Sequence, residues 1–318
     1  MDKKNKLQGI IYAVFSAIAF GLIPIFVKFA YNAGASSITV VFLRFLFSVI
    51  ILTFYFMIKN KKLTVDKKLI PRFAFLGLIG YAGTSLTLFI SYQYISVGLA
   101  TAIHFVYPAI VTLFSIMFFK EGLTPNKLIS LALCLLGVGA LVGLGNININ
   151  IVGVIYALLS GLVYSFYIIG IDYSEIRKID TLVLIFYILI FAVIGTFIFG
   201  IATKSLALDF KLYGFISIFA LAIVCTIIPL SIFAKAILII GSSNAAILST
   251  LEPITSIVLS AIIFKEVITF NTLLGSLLII GSVYVLLIKR QIKIPKLKGG
   301  KGVKDGRGPI SDKKLKGD

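Results

Sequence analysis

The feature that most constrains this chain is a succession of ten apolar runs, each close to the length that crosses a bilayer and each separated from the next by a short polar connection. A hydrocarbon core about 30 Å thick needs about 20 helical residues, and it offers backbone N–H and C=O groups no outside partner. The runs therefore predict helices near Gly9–Tyr31, Ile38–Ile58, Phe73–Ile95, Gly98–Phe119, Leu128–Leu144, Val152–Ile171, Thr181–Ile201, Tyr213–Ile240, Ala245–Phe264 and Leu273–Leu287. The third-to-fourth and eighth-to-ninth junctions are the thinnest, with mainly Gly and Ser at Ser96–Gly98 and Gly241–Asn244 to make the turn. With 59% hydrophobic residues, 13% charged residues and a mean hydropathy of +1.10, the chain has more apolar surface than a water-soluble fold can bury.

Lys3, Lys4 and Lys6 precede the first run as the n-region of a signal peptide would, but that run is too long and includes Pro24 and Lys28, so it reads as a retained helix. An inside N-terminus gives the inside loops Lys59, Lys61, Lys62, Lys67, Lys68, Arg72, Lys120, Lys127, Arg177 and Lys178, and leaves the opposite loops Lys204, Lys211 and Lys265. Both termini of a cell-membrane protein are then cytoplasmic. The net charge of +18 follows this topology, with eleven of the thirty basic residues from Lys289 onward, so a nucleic-acid partner is not expected. The tail, residues 291–318, is rich in Lys and Gly and is expected to be disordered, whether it lies against anionic lipid or is in part an appended remnant. Cys134 and Cys225 both fall inside apolar runs and read as packing residues.

The chain also repeats itself. Pro108, Ser115, Phe119, Lys120, Glu121, Thr124, Asn126 and Leu128 match Pro253, Ser260, Phe264, Lys265, Glu266, Thr269, Asn271 and Leu273 at an offset of 145 without a gap. Gly9, Ile11, Tyr12, Ala13 and Ser16 match Gly153, Ile155, Tyr156, Ala157 and Ser160 at an offset of 144. Each copy holds five runs, and an odd number places the second copy upside down relative to the first. The expected architecture is an all-α integral membrane fold of ten helices in two inverted five-helix repeats, residues 1–145 and 146–290.

Phe20, Gly21, Pro24 and Lys28 in the first run, Arg44 in the second, the Pro108/Glu121 and Pro253/Glu266 pairs and the Glu252-Pro253 dipeptide resemble the drug/metabolite transporter superfamily, in particular its ten-helix branch with two EamA domains. The resemblance covers residues 10–290 and implies export or exchange of amino acids, related metabolites or toxic compounds. The chain departs from the family in having no tryptophan, including at position 20, and in lacking a counterpart of Arg44 in the seventh run. Both departures bear on the substrate.

Ionisable groups at bilayer depth cost about 2.5–3.5 kcal/mol each on insertion scales, so each has a functional and a structural reading. Glu252 beside Pro253 reads either as a proton-coupling carboxylate or as a hydrogen-bonded structural one. Arg44 reads as an anion-binding group or, more simply, as a side chain snorkelling to the interface, and Lys28 likewise. Lys235 reads as an anchor or an inner gate. His104 shares a helical face with Tyr107 and Pro108, and Tyr81, Tyr92, Tyr107 and Tyr164 are candidates to line a cavity. Pro24, Pro108, Pro229 and Pro253 are candidate helix breaks for gating. Glu121 and Glu266 each end a run, where the helix dipole opposes a carboxylate, and each is expected to bond to its following turn with Lys120 or Lys265 offsetting the charge. Gly139 and Gly143 form a GxxxG packing pattern.

A secondary transporter of a small molecule in a lipid environment, working by alternating access, accounts for these features best. With no P-loop motif, proton coupling, exchange or facilitated movement is expected, with no cofactor. A lipid flippase or scramblase is the alternative. An intramembrane transferase fits less well, because one histidine and twelve acids supply few catalytic or metal-binding groups. Oligomeric state is not fixed by the sequence.

Overall fold

The computed structural model describes residues 3–61, 63–91, 93–95, 97–119, 121–142, 150–265 and 270–287. The described regular elements are all helices, and they make ten membrane spans. Span one is Lys3–Phe20 plus Ile23–Asn32, span two Ser37–Ile58, and span three the continuous stretch Lys67–Ser91. Span four is Val97–His104 plus Tyr107–Phe119, span five Pro125–Val142, span six Ile151–Tyr173 and span seven Thr181–Ala202. Span eight is Leu212–Ile240, span nine Ser242–Leu248 plus Leu251–Phe264, and span ten Phe270–Leu287. Seven of these stretches are long and apolar enough to cross a membrane on their own criteria, and the apolar helices Tyr107–Phe119, Pro125–Ala140 and Leu273–Leu286 serve spans four, five and ten. Phe15, Phe54, Met117, Leu136, Ile198, Ile216 and Ile262 point outward, as side chains facing acyl chains do.

The boundaries differ from the sequence expectation in ways that have local causes. Span three begins six residues earlier, at Lys67, where Asp66 caps Lys68 N–H at 3.0 Å and Pro71 sits in the first turn. It ends at Ser91, not at Ile95. Span eight passes into span nine through Gly241 alone, whose φ of +84° is open to glycine at little cost. Spans one, four and nine are each broken in mid-membrane, and Pro24, Pro108 and Pro253 each stand just after the break, where a missing N–H is least harmful. Pro229 follows a π-helical stretch, Ile223–Ile227, in span eight. Span three carries a comparable stretch, Phe75–Gly83, with glycines and no proline.

The two halves pack as inverted copies. Span one lies on span eight and span six on span three, while span one also touches span nine and span six touches span four. Moving five spans along the chain turns each of these contacts into its partner. At Gly9 an added Cβ would lie 2.6 Å from Ile240 and 2.8 Å from Ile239, and at Gly153 it would lie 2.8 Å from Ile95 and Tyr94. The neighbours are themselves one offset of 145 apart, so the same close crossing is built twice. Spans five and ten pair at one side of the bundle, where a Cβ added at Gly137 would fall 2.9 Å from Gly275 O. Gly137, and not Gly139, is the glycine of close approach: an added Cβ at Gly139 meets no atom within 4 Å, and Gly143 lies outside the described residues.

Candidate functional site

Arg44 of span two, Tyr81 and Cys225 of the π-helical stretches of spans three and eight, and Tyr107 of span four all lie within electrostatic range of Glu252 in span nine. Arg44 is in the second turn of span two and only 5% exposed, so it does not snorkel to the interface. Its guanidinium sits 4.7 Å from the Phe45 ring centre and 5.9 Å from that of Tyr81. One terminal nitrogen donates to the Tyr81 hydroxyl at 3.4 Å, while the buried Nε has no partner among the described residues. An unpaired donor on a buried cation is costly in a closed core, and it is suited to accepting a visiting anion.

From Tyr81 a row of aromatic rings runs to the opposite repeat. Tyr81 lies 5.5 Å from Tyr167, and Tyr167 stacks on Tyr164 at 5.7 Å, one turn away on span six. Tyr164 meets Tyr107 edge-on at 4.9 Å, and His104 lies 5.3 Å from Tyr107 and 5.5 Å from Tyr164. His104 Nδ1 is hydrogen-bonded to Ser160 Oγ at 2.9 Å. The Tyr107 hydroxyl is hydrogen-bonded to Ser249, three residues before Glu252. Hydroxyls from neighbouring spans add bonds to backbone carbonyls beside the prolines: Ser165 donates to Tyr107 O at 3.3 Å and Ser16 to Pro229 O at 3.0 Å.

Glu252 stands in the first turn of Leu251–Phe264, where an acid suits the positive end of a helix dipole. Its carboxyl is in electrostatic range of Arg44 and of Tyr81, Tyr107, Tyr164 and Cys225. Among the described residues it forms no ion pair with Arg44. A basic and an acidic side chain are thus held in one central region without closing on each other. Accessibility changes abruptly along span nine: Ala245–Thr250 are buried, whereas residues 251–257 are each partly accessible around the whole helix. Residues 245–250 lie toward the end of the bundle that carries Lys59, Lys61, Lys67 and Arg72, and residues 251–257 toward the other end.

The fold and site can be set beside known proteins. The model of the EamA-like transporter family matches residues 7–143 and 151–288. The chain belongs to the EamA-like transporter family. Two Bacillus subtilis (strain 168) proteins resemble this EamA-like transporter at 24% identity. The uncharacterized transporter YdfC aligns over 70% of the chain and 73% of its own length. The uncharacterized transporter YcbK aligns over 94% and 98%. A solved crystal structure of a protein superposes with a TM-score of 0.75 over 90% of this chain and 98% of its own, at 14% identity, a likeness of fold. Each matched segment holds five of the ten spans, and the drug/metabolite transporter resemblance seen in the sequence agrees with the family match.

Of the candidates drawn from sequence, the structure brings together Arg44, Tyr81, His104, Tyr107, Tyr164 and Glu252. It leaves Lys235 exposed on span eight and Pro24 exposed on span one. Lys28 is also exposed. Tyr92, Lys120 and Glu266 lie outside the described residues. Among the described residues no group of three or more His, Cys, Asp and Glu gathers to hold a metal ion. Sequence reasoning passed over Tyr167, Ser160 and Ser249. The Tyr164/Tyr167 spacing of three would have found the first, because it sets both rings on one helical face. Ser249 carries no such signal, since its role depends on a break in span nine.

Proposed function

We propose that this EamA-like transporter is a secondary carrier for a small zwitterionic solute, an amino acid or related compound, exported or exchanged by alternating access between repeats 1–145 and 146–290. The observation that carries the reading is the unclosed pair Arg44 and Glu252. The two come from opposite repeats and flank an aromatic-walled, partly accessible centre. A solute with a carboxylate and an ammonium group satisfies both ends at once. The carboxylate takes the Arg44 donors and the ammonium takes Glu252, with Tyr81, Tyr107, Tyr164 and Tyr167 along its body. In the empty carrier Glu252 holds a proton, and it gives up that proton when the cationic group arrives, which couples solute movement to the proton gradient. The carrier resides in the cell membrane with both termini and the Lys-rich loops inside.

Uptake of a labelled amino-acid and metabolite panel into proteoliposomes, with and without a pH gradient, tests the proposal. Saturable transport driven uphill by the gradient, reduced to exchange alone in Glu252→Gln, is the expected result. Equal behaviour of the two proteins removes coupling from Glu252. Movement of labelled lipid in place of any solute on the panel refutes the carrier reading and favours a flippase.

A further inference from the structure

A second polar cluster lies about two helical turns from Ser249, at the end of the bundle bearing the basic loops. Lys127 Nζ meets Glu121 Oε1 at 2.7 Å with side-chain exposures of 5% and 10%, an ion pair taken almost wholly out of solvent. The Ser243 hydroxyl donates to the other Glu121 oxygen. Ser242 N–H donates to Asp172 Oδ2 at 2.8 Å, and the Ser242 and Ser115 hydroxyls are 3.2 Å apart. The Phe119 ring stacks on Tyr173 beside them. Ser115, Glu121 and Lys127 belong to the first repeat, and Asp172, Ser242 and Ser243 to the second. The two cross-repeat bonds of the cluster, Ser243–Glu121 and Ser242–Ser115, both end on the residues that follow the single-glycine hinge between spans eight and nine, with Gly241 at φ +84°.

We propose that this cluster is the gate of the basic end, closed in the present structure, and that Glu121, Lys127 and Asp172 are its gating residues. The proposal rests on the alternating-access reading above and extends it. The Glu121–Lys127 pair lies within the first repeat and the bond from the Ser243 hydroxyl ties it to the second, so the cluster makes a latch with two discrete states, stable when fully bonded and unstable when half-bonded. While the latch is shut, Ala245–Thr250 stay buried, so on this reading the central site is reached from the opposite end only. Opening requires Ser242 and Ser243 to leave Ser115 and Glu121, which hinging at Gly241 permits, while Asp172 holds the Ser242 N–H within its own repeat. The expectation that Glu121 bonds its following turn is met through Lys127, and the bond to Ser243 adds a link that crosses between the repeats.

A reversible lock tests the gate directly. In a Cys134→Ala/Cys225→Ala background, Ser115→Cys/Ser242→Cys is oxidised in proteoliposomes and uptake of the labelled amino-acid panel is measured before and after reduction. The expected result is a cross-link that stops transport and a reductant that restores it. Undiminished transport by the fully cross-linked protein, or failure of the pair to cross-link, overturns the gate. If the reduced protein moves no solute, the transport reading fails, and hydrogen exchange of the otherwise unmodified Glu121→Gln protein decides the gate by itself. Gln keeps the shape and the hydroxyl contact but removes the charge facing Lys127. Faster exchange confined to residues 241–250 supports the gate. Unchanged exchange overturns it, and so does loss of protection throughout the bundle, which would make the pair a scaffold.

Discussion

The crossing of spans one and nine gives a prediction whose size follows from geometry. Gly21 lies at the break of span one, and a Cβ built there would fall 2.6 Å from Thr255 Cβ and 2.9 Å from the carbonyl oxygen of Glu252. Carbon atoms rest at about 3.5–4.0 Å, so Gly21→Ala must push the first turn of Leu251–Phe264 away by about 1 Å. Neither neighbour is the far end of a flexible side chain, so the backbone must yield. Overpacking of this kind costs about 1–3 kcal/mol, and a displacement near 1 Å at a residue that positions substrate lowers turnover on the order of 100-fold. Gly139→Ala is the control: an added methyl meets nothing within 4 Å, and the helix gains about 0.5–1 kcal/mol by losing a glycine. Thermal unfolding of both variants in the same detergent, with uptake rates from proteoliposomes, should separate them in opposite directions from wild type. Equal stability of Gly21→Ala and Gly139→Ala would refute the claim that the span one–span nine crossing is tight. Lowered stability with unchanged uptake would keep the crossing and remove its link to Glu252.

Arg44→Lys keeps the charge but loses the planar fork and its stacking on Phe45 and Tyr81. Transport should fall about 10-fold or more while thermal stability changes little, and wild-type kinetics would show that only the charge matters. Asp180 caps span seven by accepting from Leu182 and Val183 N–H at 3.0 and 3.3 Å, and it pairs with Lys61 at 2.8 Å. Partial burial opposes its charge, but the Lys61 bond and the two backbone donors outweigh it and hold the carboxyl below its ordinary value. Its stabilisation is therefore complete above the ordinary carboxylate pKa and is lost as pH falls through the lowered one. Asp180→Ala should cost about 1 kcal/mol at neutral pH and flatten that acid-side loss, whereas Asp180→Asn should retain the cap. Identical acid profiles for wild type and Asp180→Ala, read by thermal unfolding across pH, would refute this role.

Much of the fold is legible in the sequence because two of its signals are one-dimensional. Run length gives ten spans, and the match of Glu121 and its neighbours with Glu266 and its neighbours at a constant offset gives the duplication. Prolines mark three of the breaks for the same reason, since a missing N–H acts locally whatever surrounds it. The π-helical stretch of span three has no such marker: Gly77, Gly80 and Gly83 only permit it, and its bulge becomes visible through the packing of span seven and Tyr167 against Gly77 and Gly80. Which face of a span looks inward is weakly encoded when every face is apolar. Arg44 therefore reads as an interfacial side chain from its position along span two, although its rotation turns it onto Phe45 and Tyr81. The same ambiguity assigns close packing to Gly139 when Gly137, two residues earlier, makes it. Ser243 and Asp172 are far apart in sequence from Glu121 and Lys127, and no periodicity announces that they meet.

The two repeats share a frame without sharing its chemistry, and this difference bears on how many solutes one chain carries. The offset of 145 that pairs Pro108 with Pro253 also pairs Tyr107 with Glu252 and His104 with Ser249, so the residues at the two breaks are an aromatic hydroxyl on one side and a carboxyl on the other. Arg44 falls opposite Leu189, which is fully buried, so the cation has no second copy either. Symmetric breaks and symmetric crossings, such as Gly9 on Ile240 and Gly153 on Ile95, let either end of the bundle open by the same movement. Singly present charges, by contrast, define one orientation for a bound zwitterion. On the proposed reading the duplication supplies the motion and the divergence supplies the site, so one solute per chain and per cycle is the expected stoichiometry.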